Sequence, residues 1–106
     1  MTIEIITDEN YEEFKKYEKA VLVIGVNSCP ACSLYDVVVK GVAMSFPEIR
    51  FGKAIYDEIG ARSIKRDYPL DRAPHTILLK RGELVSKLVG MHFQPQLTLA
   101  LKENFS

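Results

Sequence analysis

Seven consecutive apolar residues, Ala20-Val21-Leu22-Val23-Ile24-Gly25-Val26, constrain this chain more than any other stretch. Neither alternate set of side chains in the run is polar, so as a strand it has no face to offer to water and must be covered on both sides. The run has strand length and falls far short of a membrane span. Asn27 and Ser28 break it, and from Cys29 the pattern turns helical. Val38, Val39, Val42, Ala43 and Phe46 form one helical stripe, Pro30 suits the first helical position, and Pro47 ends the helix.

The remaining segments supply the layers that such a strand needs. Ile3 to Ile6 reads as a short strand, with Thr7 and Asp8 as cap candidates for an amphipathic helix carrying Tyr11, Phe14 and Tyr17 at spacing three. Residues 49–56 alternate loosely as a strand, and 57–66 predict a weak helix. A turn-rich connector runs from Tyr68 to Pro74. Thr76 to Lys80 and Glu83 to Val89 predict two strands joined by Arg81-Gly82, and Leu97, Leu101 and Phe105 mark a last helix. The order β-α-β-α-β-α-β-β-α is an α/β fold. Its central sheet is mixed, parallel in the first half and antiparallel at the closing hairpin, with helices on both faces.

Size and charge agree with one domain over residues 1–106. Surface scaling gives about 6,000 Å² folded against about 17,000 Å² unfolded, enough for one core without staples. Fourteen basic residues balance fourteen acidic ones, so no positive surplus exists to neutralise phosphates, and nucleic acid is not expected as a partner. Met1-Thr2-Ile3-Glu4 lacks the basic and apolar regions of a signal peptide. A soluble cytoplasmic protein, without membrane contact, is the expectation.

The chemistry is concentrated at Cys29-Pro30-Ala31-Cys32, which holds both cysteines of the chain. A disulfide closing so short a loop adds little stability, so a structural staple is a poor reason for the pair. At a helix start the first cysteine meets unpaired N–H groups and positive potential, which favour thiolate, the nucleophile of disulfide exchange. Cys29 is therefore the expected attacking sulfur. Cys32, one turn in and more buried, is the expected resolving thiol. Zinc sites share the C-x-x-C spacing but need two more ligands. His75 and His92 lack the paired spacing of a finger, which leaves open a metal shared between two copies.

With that motif in place the chain resembles thioredoxin over nearly its whole length. The resemblance rests on the apolar strand running into Cys29-Pro30-Ala31-Cys32, on Ala73-Pro74-His75-Thr76 just before the fourth strand, on Lys80-Arg81-Gly82-Glu83, and on Gly90 seven residues past Glu83. It implies a thioredoxin-like fold and a protein-disulfide oxidoreductase that acts through its own cysteine pair, without a cofactor. Disulfide-containing proteins would be its substrates and a flavoprotein thioredoxin reductase its recycling partner. Pro74 would be cis and lie against the cysteines, and the backbone of Ala73 would pair with an extended substrate segment. His75 would lie nearby, stabilising the Cys29 thiolate as a cation or touching substrate as a neutral ring. Pro30 and Ala31 would shape the site.

The chain also departs from the family pattern. It has no tryptophan, and proline directly follows the first cysteine, more as in glutaredoxins and periplasmic disulfide oxidoreductases. Thioredoxins carry a buried aspartate six residues ahead of the first cysteine, where this chain has Val23. Lys53 matches the lysine that partners that acid. Without the acid it reads as a surface lysine with its stem on apolar ground, and the Cys32 proton is left to water or another acid. Tyr35 and Asp36, one turn beyond Cys32, read as a solvated helix face. These departures support an alternative, a redox-weak binding module of the same fold.

Overall fold

A computed structural model describes residues 3–105. Nine elements follow in order: β1 (Glu4–Ile5), α1 (Tyr11–Lys15), β2 (Lys19–Gly25), α2 (Pro30–Ala43), β3 (Arg50–Ile55), α3 (Arg62–Asp67), β4 (His75–Lys80), β5 (Glu83–Val89) and α4 (Gln94–Phe105). The five strands form one mixed sheet in the order β1-β3-β2-β4-β5. The apolar run therefore occupies the middle. β2 pairs parallel with β3 and antiparallel with β4, and β5 closes the far edge as a hairpin on β4.

Alternation along β2 divides the core in two. Val21 and Val23 pack with Tyr35, Val39 and Val42 of α2 and with Leu97, Leu101 and Phe105 of α4. Ala20, Leu22 and Ile24 pack on the opposite face with Tyr11 and Phe14 of α1 and Ile64 of α3. Both faces of β2 are thus dry, as its composition demands, and the accessible surface totals 6058 Å². Arg81 and Gly82 take φ +52° and +86°, the pair of left-handed residues that a two-residue hairpin uses to match strand twist.

Two helix starts differ from the sequence expectation, for one reason. The third helix begins at Arg62 rather than at residue 57, because 57–60 form turns. Its first N–H groups, those of Arg62 and Ser63, donate to the Asp8 carboxylate at 3.1 and 2.7 Å. Asp8, expected to cap the nearby first helix, instead caps a helix more than fifty residues away. The first helix starts from Asn10, whose Oδ1 accepts from Thr7 N–H while Tyr11 N–H donates to the Thr7 carbonyl. The hydrogen bonds from Ser63 and Arg62 hold the Asp8 carboxyl below its ordinary value, the bond from Ser63 N–H foremost.

Candidate active site

The site is built where β2 stops. Ser28 has φ +56°, a left-handed turn that swings the chain from strand into helix. Asn27 is pinned by its backbone N–H and its side-chain amide to Asp57 Oδ1, at 3.1 and 3.2 Å. Cys29 follows as the N-cap of the fourteen-residue α2, in extended conformation, with Pro30 in the first turn. Its Sγ accepts a hydrogen bond from the backbone N–H of Cys32 at 3.1 Å. A proline at the helix start removes a donor that would have no partner there.

Cys29 and Cys32 are joined by a disulfide. Cys29 and Ala31 are partly exposed and Pro30 is exposed, whereas Cys32 is 4% exposed. The pair lies in an open cleft of about 500 Å³, walled by Val26, Ser28, Pro30, Ser33, Lys53 and Ile55. An approaching molecule therefore meets the sulfur of Cys29 first. Gly25, the last residue of β2, packs against Cys32. A β-carbon there would stand 3.3 Å from Cys32 Sγ, so the last residue of β2 must be small for the sulfur to sit where it does.

The Ala73–Pro74 peptide bond is cis. Because His75 pairs with Ile24 across β4 and β2, Pro74 comes opposite Gly25, at the end of the sheet from which α2 departs. Gly90 N–H donates to the Pro74 carbonyl at 2.7 Å and so ties the end of β5 to this corner. Gly90 itself has φ +84°.

His75 takes a different place from the one the motif suggested. It is 1% exposed, and its two ring nitrogens have no hydrogen-bond partner. Alternation along β4 puts it with Ile77 and Leu79, which pack toward α1 and α3, while Thr76 faces α2. The imidazole thus lies on the sheet face away from the cysteines and is not among the residues walling their cleft. Its nearest acid is Asp71, at 3.8 Å. Burial lowers its pKa, the charge of Lys87 adds to that, and Asp71 opposes it.

Tyr35 and Asp36 correct the sequence reading in the other direction. Tyr35 is fully buried, and its hydroxyl lies 2.7 Å from Thr76 Oγ1, tying α2 to β4 two residues past Pro74. Extending the apolar stripe back from Val39 by four and seven positions reaches Tyr35 and Cys32, a signal the sequence did contain. Asp36 is half-buried and accepts a hydrogen bond from Lys53 Nζ of β3. Lys53 is therefore not a solvated lysine, and its partner comes from the helix instead of from β2. Among the described residues no cluster of three or more potential metal ligands occurs. Nor is any helix among them long and apolar enough to cross a membrane.

A disulfide-bonded cysteine pair at the start of the first long helix of such a sheet is the arrangement of a thioredoxin-like fold. No family model matches the chain. It is 25% identical over 96 residues to a thioredoxin of Chlamydia pneumoniae, covering 91% of this chain and 92% of that one. It is also 25% identical over 84 residues to an H-type thioredoxin of Fagopyrum esculentum, covering 78% of this chain and 71% of the relative. The oxidised mitochondrial thioredoxin 3 of Saccharomyces cerevisiae superposes with a TM-score of 0.81 at 22% identity, covering 95% and 94% of the two chains. The chain has a thioredoxin-like fold and is a thiol–disulfide oxidoreductase.

Proposed function

We propose that the protein works in the reducing direction, on disulfide bonds of other proteins, as a single domain. Cys29 is the attacking thiolate. It displaces one sulfur of the substrate disulfide, forms a mixed disulfide, and releases the first substrate thiolate. Cys32 then attacks the Cys29 sulfur. The Cys29–Cys32 bond forms, the bond to substrate breaks, and two electrons have passed to the substrate. The observation that carries this reading is the difference in access between the two cysteines, with the more accessible one at the N-cap of a fourteen-residue helix. A helix N-terminus favours the anion there, and the Cys32 N–H that donates to Cys29 Sγ would favour it further.

Pro30 and Ala31 present little bulk beside Cys29, so a substrate backbone can approach. The backbone of Ala73 pairs with an extended substrate segment, Pro74 packs against the sulfur pair, and the backbone of His75 carries that edge into β4. The protein uses its own disulfide and no other cofactor. A flavoprotein reductase of the kind that serves thioredoxins returns it to the dithiol in a cytoplasmic setting.

The test is insulin reduction with dithiothreitol, combined with thiol titration. The wild type should accelerate the reaction and Cys29→Ser should be inert. Cys29 should titrate below the free value of about 8.5. A wild-type rate equal to buffer, or a Cys29 that titrates as a free thiol, would refute the reading and favour a binding module.

A further inference from the structure

The proposed exchange leaves one proton unassigned, that of Cys32, which must leave before its sulfur can attack. Cys32 is 4% exposed, so bulk water is poorly placed to take it. Asp36 lies four residues on, and side chains at i and i+4 project from the same helix face. Its side chain is 33% exposed and meets that of Lys53, which is 23% exposed. Lys53 also bounds two neighbouring clefts. One is the cysteine cleft, and the other, of about 530 Å³, is lined by Val23, Asp36, Val39 and Lys40. The space above Gly25 is bordered by Cys32 and by the stem of Lys53. A point there, where a β-carbon would stand, is 3.3 Å from Cys32 Sγ and 4.0 Å from Lys53 Cε.

We propose that Lys53 and Asp36 carry the proton of the resolving thiol, with Lys53 as the link and Asp36 as the acceptor. This rests on the reading of Cys32 as the resolving residue. Lys53 Nζ–H, already donated to Asp36, moves to the carboxylate as the Cys32 thiol gives its proton to Nζ. The ammonium is regenerated, Asp36 becomes a neutral carboxylic acid, and Cys32 becomes a thiolate. After the thiolate attacks Cys29, the departing substrate thiolate leaves as a thiol, drawing its proton through solvent from Asp36. The charged or titratable groups facing this path are Lys53 from β3 and Lys40 and the cysteines from α2 or its cap. The β2 residue that faces it, Val23, carries no charge.

The experiment follows the two steps separately. Reduced protein is mixed with insulin, quenched with acid at intervals, alkylated and weighed by mass spectrometry. In Asp36→Asn the insulin adduct on Cys29 should form within about twofold of the wild-type rate, since Cys29 attacks without this pair. Its disappearance should slow about 100-fold, the usual scale of a lost proton-transfer group. The slowed step should then rise with hydroxide concentration, and Asp36→Glu should recover most of the rate. Wild-type disappearance of the adduct in Asp36→Asn would overturn the proposal, as would equal slowing of both steps. Cys32→Ser is the control. If it accumulates no Cys29 adduct, the reading of the cysteines themselves fails, a result distinct from failure at Asp36.

Discussion

Replacing Tyr35 by phenylalanine removes a single oxygen from the interior, and the structure sets what that should cost. The Tyr35 and Thr76 hydroxyls are 2.7 Å apart, and both residues are fully buried. Tyr35→Phe forfeits the bond and strands the Thr76 hydroxyl away from water, at about 1–3 kcal/mol. Thr76→Val strands the phenol instead, with a cost in the same range. The double variant removes both partners and leaves nothing unsatisfied. It should be more stable than the sum of the single losses predicts, by about 1 kcal/mol or more. Burial raises the Tyr35 pKa above its ordinary value of 10, opposed by the bond to Thr76, so the phenol keeps its proton through the neutral range. Urea unfolding of the four proteins measures the cycle, with midpoints that move and slopes that do not. Additivity to within about 0.5 kcal/mol would refute the coupling and with it this tie between α2 and β4.

Other expectations follow from single features. His75 has a folded pKa lowered by burial, so the native state binds fewer protons than the unfolded chain. Stability should be full above the ordinary value of 6.5 and fall as pH drops through it toward the lower folded value; His75→Phe should flatten the urea midpoint across that window, and an unchanged slope would refute the assignment. Gly82→Ala forces a side chain onto φ +86° and should cost about 1 kcal/mol, read as a drop in Tm of roughly 4 °C or more. Gly25→Ala would press a methyl group to 3.3 Å from Cys32 Sγ, and insulin reduction should slow; a wild-type rate would mean that the close approach of Gly25 does not position the sulfur.

Local pattern made the scaffold legible. An apolar run with no wet face read as central, the Arg81-Gly82 pair as a tight turn, and the cysteines at a helix start as disulfide-exchange chemistry with a shared metal left open. What escaped was non-local. Asp8 looks like a cap for the helix beside it because nothing in the sequence shows that residues 62 and 63 will stand within 3.1 Å of its carboxylate. Lys53 and Asp36 are seventeen positions apart, and their meeting depends on how α2 lies across β3. His75 follows Pro74 in sequence, yet strand alternation sends the two neighbours His75 and Thr76 to opposite layers. Which layer each would join was set by pairing with β2, and no motif encodes that.

Unequal access to the two sulfurs also bears on how these molecules behave toward one another under oxidising conditions. With Cys32 closed off behind its neighbour, each polypeptide has one hand to extend. A chance bond between copies has to start at residue 29, and Cys32 of either molecule can then expel the other, so oxidation should end in single molecules closed on their own sulfurs and not in a growing network.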